Sequence, residues 1–396
     1  MRKTKEELDE LLKSEKCDRL WSWSKINCFH TSPYEYYLHY IKKVKEDKAN
    51  SIYVTTGGLA HQALEDYYTD KIAFEEMLDR FEDGWVMATE IAELKFDRTD
   101  EAKNESIKEK YYKNLQHFFQ NHSVIKDKPA IEEFIKIKVD GNLFQGYIDC
   151  SFKDDEGNTH IVDFKTSSIY TGAKAENECG QLVLYAIGLN QQGVPMDKIK
   201  ICWNFLKYVN IQYQQKNGDI KVRQVERREI GEKLMSNVKM WLKHFGYNPD
   251  DYIGQLIDTN SIECLPEEVK EKYVISDCYV YVPLTDKLIE RWETHIKNII
   301  LDITMREKDY EETLSDKCFW DSEESVAKES YYFANLCGYS AHLHKPYGEY
   351  LDRFEKRKND LFGGLLMGDE YEEPVNKEVK KQEDEVDLSW LDDIEL

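Results

Sequence analysis

The chain has 396 residues, 41% of them hydrophobic, enough to bury the core of one large domain or two ordinary ones. No apolar run approaches the roughly 18 residues that a membrane-spanning helix needs, and the opening "MRKTKEELDELLKSEK" is a charged helical pattern and not a secretion signal, so a cytoplasmic protein without a membrane partner is expected. A net charge of −23 argues against indiscriminate nucleic-acid binding, and nine cysteines without a CxxC pair read as free, mostly buried thiols.

Residues 4–16 read as a first helix, and a second opens after Pro33, a residue suited to a first helical turn. "TTGGLAHQALEDYY" places Leu59, Ala63, Leu64, Tyr67 and Tyr68 on one helical stripe, and a long helix follows to about residue 120. The period then changes to two. "AIEEFIKIKVDG", "NLFQGYIDCSFKD" and "THIVDFKTS" alternate and predict a three-strand antiparallel meander. A helix with one apolar face is predicted over 177–193, a strand over 199–209, and a hairpin turning at Asn217-Gly218. Amphipathic helices are predicted over 229–247 and 285–309, with a short strand at 278–284 between them, and a last helix over 346–362. The order helix, three strands, helix, strand predicts an α/β core: a mixed sheet (αβββαβ) with helical N- and C-terminal elaborations.

Charge is unevenly distributed. Residues 369–396 hold twelve acids and three lysines, a disordered acidic tail by composition. Basic clusters survive at Lys42, Lys43 and Lys45, at Lys221, Arg223, Arg227 and Arg228, and at Arg353, Lys356, Arg357 and Lys358; a DNA groove needs a local basic path, not a basic protein.

The chemistry concentrates at "IVDFK". Residues i and i+2 of a strand face the same side, so Asp163 and Lys165 project together. Asp149, in "GYIDC" on the preceding strand, converges with Asp163 across a short turn. Two converging carboxylates repel unless a cation neutralises them. Mg²⁺ prefers oxygen ligands and keeps waters that it acidifies into nucleophiles. A lysine beside them can position that water or stabilise an anionic phosphorane. The trio therefore suits phosphodiester hydrolysis, although a DxK triplet alone carries little weight in a chain one-third charged.

Together these segments resemble the PD-(D/E)xK nuclease superfamily, in its RecB-like branch of CRISPR-associated and phage exonucleases. "GYIDCSF" and "IVDFKTS" resemble its two acidic strands, "QLVLYAIGL" its Q-x-x-x-Y helix, and "GLAHQALEDYY" its histidine helix. "AIEEFIKI" resembles its first-strand glutamate segment, with Glu132 the better match. The resemblance runs from about residue 20 to 210 and implies a restriction-endonuclease-like core. It implies Asp149, Asp163, His61 and the Phe164 carbonyl as ligands of Mg²⁺ or Mn²⁺, and Asp149, Asp163 and Lys165 as the catalytic set. Gln181 and Tyr185 would contact the DNA backbone or hold the site together. From the residues alone, His61 and Tyr185 also suit a packed core, and Glu132 a solvated strand position.

Many RecB-like nucleases carry an iron–sulfur cluster on four cysteines. Here Ser32, Ser340 and Pro346 stand at three of those positions beside Cys337, so no cluster is expected and ordinary packing is expected to close that junction. In the tail, Trp390, Leu391 and Ile394 are large apolar groups framed by acids, a pattern that suits docking on a helicase, a single-strand-binding protein or another replication or recombination protein. No GxxxxGK[ST] phosphate loop is present, so any unwinding must come from a partner. The expected organisation is a helical region 1–125, a nuclease core 126–225, a mainly helical region 226–367 and the tail 368–396. The expected function is a divalent-metal-dependent DNA nuclease, an exonuclease rather than an endonuclease; the alternative is a catalytically degenerate scaffold that recruits partners through its tail.

Overall fold

The computed structural model describes residues 2–49, 51–125 and 128–353. The tail, with Trp390, Leu391 and Ile394, lies outside the described residues. Seven strands form one mixed sheet: β1 (Leu20–Trp21), β2 (Ala130–Val139), β3 (Asn142–Lys153), β4 (Thr159–Lys165), β5 (Ile199–Gln214), β6 (Ile220–Glu226) and β7 (Tyr273–Val282). The order is β1-β3-β4-β5-β6, with β2 also paired to β3 and β7 also paired to β5. β1–β3 and β4–β5 are parallel and the other pairs antiparallel.

Local chemistry explains the turns. β2 and β3 join through Asp140 and Gly141, both at positive φ, the conformation that a two-residue hairpin demands. Between β3 and β4 the Asp154 carboxylate accepts the N–H groups of Glu156 and Asn158, and so fixes the loop. The step from β4 to β5 is parallel and needs a crossover, supplied by the Gly180–Gln191 helix.

That crossover helix departs from expectation. The region predicted as one helix with a single apolar face is two, Ala173–Glu178 and Gly180–Gln191, and every residue from Gly180 to Leu189 is buried. The cause is cover on both sides. A Cβ at Gly188 would strike Ile135 and Ile137 of β2, while one at Gly180 would strike Trp23 and Trp292 from helices Trp23–Thr31 and Asp286–Thr313. The strand predicted at 278–284 is the longer β7, because it pairs with both limbs of β5 across a register shift between Asn204 and Val209. A helix at Asp250–Thr259, not anticipated, closes a second apolar cluster with the Ile230–His244 helix, around Val209, Ile211, Leu234, Val238 and Leu256.

One basic cluster does not survive as read. Arg227 is buried, donating to the Leu206 carbonyl at 2.7 Å and to Asp277 at 2.5 Å. Asp277 also meets His122 Nδ1 at 2.9 Å, and His122 Nε2 lies 2.8 Å from the Tyr68 hydroxyl. The guanidinium ties β7 to the helical layer and is withdrawn from any groove. Among the described residues no helix is long and apolar enough to cross a membrane.

The junction expected to rest on ordinary packing is polar instead. Ser32 donates to Asp321 at 3.0 Å and lies 3.0 Å from His344 Nε2, with Asp321 and His344 both buried. The Tyr347 N–H donates to His344 Nδ1, which leaves the ring proton on Nε2, facing Ser32. Ser340 bonds Asp47 through its hydroxyl and its N–H. Burial raises the Asp321 carboxyl to about 7, and burial together with the nearby Glu46 charge raises Glu35 to about 7.

An acid with a raised folded-state pKa binds a proton on folding. Its contribution to stability is therefore greatest at low pH and declines as pH rises from about 4 to about 7. Asp321→Asn, which keeps an acceptor for Ser32, should gain Tm relative to the native sequence as pH goes from 5.5 to 8. Parallel melting curves check this; an unchanged difference between the two proteins would refute it.

Candidate active site

β3 and β4 pair from Lys153/Thr159 up to Cys150/Val162 and then separate. Asp149 is the first residue of β3 past the last pair, and Asp163 is its counterpart on β4. Where the ladder stops, the Asp149 carboxylate takes its place: Oδ2 accepts the Phe164 N–H at 3.2 Å. β4 remains paired with β5 on its other side, Asp163 opposite Trp203 and Lys165 opposite Phe205, so the acid and the base are held on a rigid rung. Glu132 lies between the pairs Ile131–Cys150 and Glu133–Ile148, level with Asp149, and is itself unpaired with φ +49°. A non-glycine residue in that region marks a local constraint.

The Ile52–Tyr68 helix supplies His61. Its Nε2 lies 2.7 Å from the Phe164 carbonyl and its Nδ1 3.5 Å from Asp149 Oδ2. Burial lowers its pKa, opposed chiefly by the Asp163 charge; Lys165 and Glu132 also act on the ring. The ring is therefore neutral at pH 7, with its proton on Nε2 towards the carbonyl. That leaves the Nδ1 lone pair facing a carboxylate. Lys165 Nζ stands 3.3 Å from Asp163 Oδ2, an ionic contact without hydrogen-bond alignment: both Asp163 oxygens and Glu132 Oε2 are buried with no hydrogen-bond partner.

Gln181 and Tyr185 sit behind this layer. Gln181 Nε2 donates to the Tyr185 hydroxyl at 3.1 Å, and both side chains are buried. A Cβ at Gly146 would stand 2.4 Å from Tyr185 Cε1. The glycine of "GYID" is thus the seat of the tyrosine of "QLVLY", and the contact sets the distance between crossover helix and acidic strand. One neighbour escaped the sequence reading: Arg2 Nε lies 3.7 Å from Glu132 Oε2, a pairing across 130 residues that no local pattern signals.

Orphaned carboxylate oxygens are what a hard cation satisfies. Asp163 and Asp149, with Glu132 level and a neutral imidazole alongside, offer the donor set that Mg²⁺ or Mn²⁺ takes. No three His, Cys, Asp or Glu side chains among the described residues stand at metal-ligand spacing, and His61 Nε2 faces the Phe164 carbonyl.

Saturating Mg²⁺ or Mn²⁺ should raise Tm by about 2–4 °C for each kcal/mol of linkage. Asp163→Asn should abolish this rise, because it removes the carboxylate charge that the cation would neutralise. A mutant with the native metal response would overturn the donor set.

The model of the PD-(D/E)XK nuclease superfamily matches residues 20–320, a span that covers the whole sheet from β1 to β7. A search of curated proteins finds no match. With a family match over more than half its length, and with a mixed sheet that splays at paired acids, the chain belongs to the PD-(D/E)XK nuclease superfamily and has the restriction-endonuclease-like fold.

Proposed function

We propose that the chain is a divalent-metal-dependent nuclease that hydrolyses DNA phosphodiester bonds from strand ends, akin to the RecB-like branch. The observation that carries this reading is the gathering of Asp149, Asp163, His61 and Lys165 at the point where β3 and β4 part, with both Asp163 oxygens unsatisfied. A scaffold on this fold has no use for a buried carboxylate that destabilises it.

Asp149, Asp163, His61 Nε2 and the Phe164 carbonyl would hold Mg²⁺ or Mn²⁺. The ion, when bound, supplies an acidified water and offsets charge on the phosphate. His61 accommodates it by moving its proton to Nδ1, where Asp149 Oδ2 at 3.5 Å is the acceptor; this fixes the ring by a carboxylate–histidine contact. Lys165, held beside Asp163 and only 12% exposed, orients the attacking water and meets the negative charge that builds on the phosphorane. Glu132 adds negative charge at the rim. Gln181 and Tyr185 keep the crossover helix seated on Gly146, so that β3 presents Asp149 at a fixed height. The acidic tail is proposed as a protein-docking segment for a helicase or single-strand-binding partner.

Asp163→Ala or Lys165→Ala should lower cleavage of end-labelled DNA by about 10²-fold or more, and Asp149→Asn should raise the metal concentration needed for half-maximal rate. The assay compares single- and double-stranded, linear and circular DNA in Mg²⁺, Mn²⁺ and EDTA. Loss of activity in EDTA and sparing of covalently closed circles are expected. Cleavage of closed circles at the linear rate would overturn the end-dependent reading. Undiminished cleavage by the Asp163 or Lys165 variants would overturn the site.

A further inference from the structure

The segment leading into the Lys5–Glu15 helix is fastened to the strands that carry the site. Thr4 caps that helix, its hydroxyl accepting the Glu7 N–H while the Glu7 carboxylate accepts the Thr4 N–H. At the far end Glu15 pairs with both Lys136 and Lys138 of β2. At the near end the Lys3 N–H donates to the Tyr147 hydroxyl of β3 at 2.7 Å, and the Lys3 ammonium lies 5.0 Å from the Phe134 ring centroid. Arg2 is thereby delivered to the rim of the acid cluster: its Nε is 3.7 Å from Glu132 Oε2, and its guanidinium lies 5.6 Å from the centroid of Tyr147, two residues before Asp149.

We propose that Arg2 is a phosphate-positioning residue, which binds a backbone phosphate of the DNA strand beside the one attacked; this rests on the nuclease reading above. Three acids at the mouth of an acidic protein repel a polyanion. Lys165 sits inside the cluster at 12% exposure, whereas the Arg2 side chain is 67% exposed, so its planar fork is open to a ligand from solvent. A guanidinium matches phosphate geometry through paired N–H donors and stays charged at any working pH. Its place is set by the helix cap, the Lys3–Tyr147 bond and the Glu15 pairs, so binding DNA requires ordering little more than one side chain.

The test uses the full chain with any affinity tag at its C-terminal end. Arg2→Gln should raise KM for DNA by about 5-fold with kcat nearly unchanged, and should reduce the slope of log affinity against log salt by about 1. Arg2→Lys should recover part of the loss. Anisotropy of a fluorescent oligonucleotide on Asp163→Asn protein, with and without Arg2→Gln, reads the same contribution with no turnover. Cleavage by the native sequence, with KM, salt slope and anisotropy unmoved by Arg2→Gln, overturns the inference and leaves the nuclease reading standing. Binding that depends on Arg2 without any cleavage by the native sequence overturns the nuclease reading and leaves the anion site. A loss of kcat or of the metal-induced Tm rise at unchanged KM would assign Arg2 to the metal cluster and overturn the inference.

Discussion

The structure turns on the place where β3 and β4 stop pairing. Inside a sheet, a strand's N–H and C=O groups are spoken for by its neighbours. When two strands part, those groups must find other partners, and here Asp149 supplies one by accepting the Phe164 N–H. The side chain that repairs the ladder is thereby fixed next to Asp163, whose oxygens have no such partner. A gap in hydrogen bonding becomes a cluster of charge. That cluster carries an energetic penalty that a hard cation would relieve.

Such a cluster persists only if the surrounding fold is rigid, and the crossover helix provides this. It is packed on both faces, against β2 and Gly146 on one side and Trp23 and Trp292 on the other. Glycines stand at the close approaches: a side chain at Gly146 or Gly188 would strike between helix and sheet, and one at Gly180 would strike the two tryptophans. Overpacking of this kind costs about 1–3 kcal/mol and would also shift the strand that bears Asp149. Stability and site geometry therefore depend on the same contacts.

The periphery is joined to this core by buried polar links. Arg227, Asp277, His122 and Tyr68 join β7 to the helical layer, and Ser32, Asp321 and His344 join the early chain to its later part. Each is costly to break, because removing one partner leaves another buried and unmet. The second link includes Ser32, the residue before Pro33. Its hydrogen bonds hold together segments about 300 residues apart in the chain.

Much of this was legible in the sequence. Alternation identified the meander, Asn217-Gly218 marked a tight turn, and "GYID" with "VDFK" located the acids, because strand period and turn chemistry are local properties. The sequence could not show that the 180–189 segment is buried all round, since that depends on Trp23 and Trp292, remote in the chain. Nor could it show that Arg227 is withdrawn into the interior or that Arg2 reaches Glu132. A residue's type and spacing determined which chemistry it can perform. Which charges are neutralised, which stay orphaned and which face solvent was decided by packing between distant segments, because burial and pairing are properties of the whole fold and not of any stretch of chain.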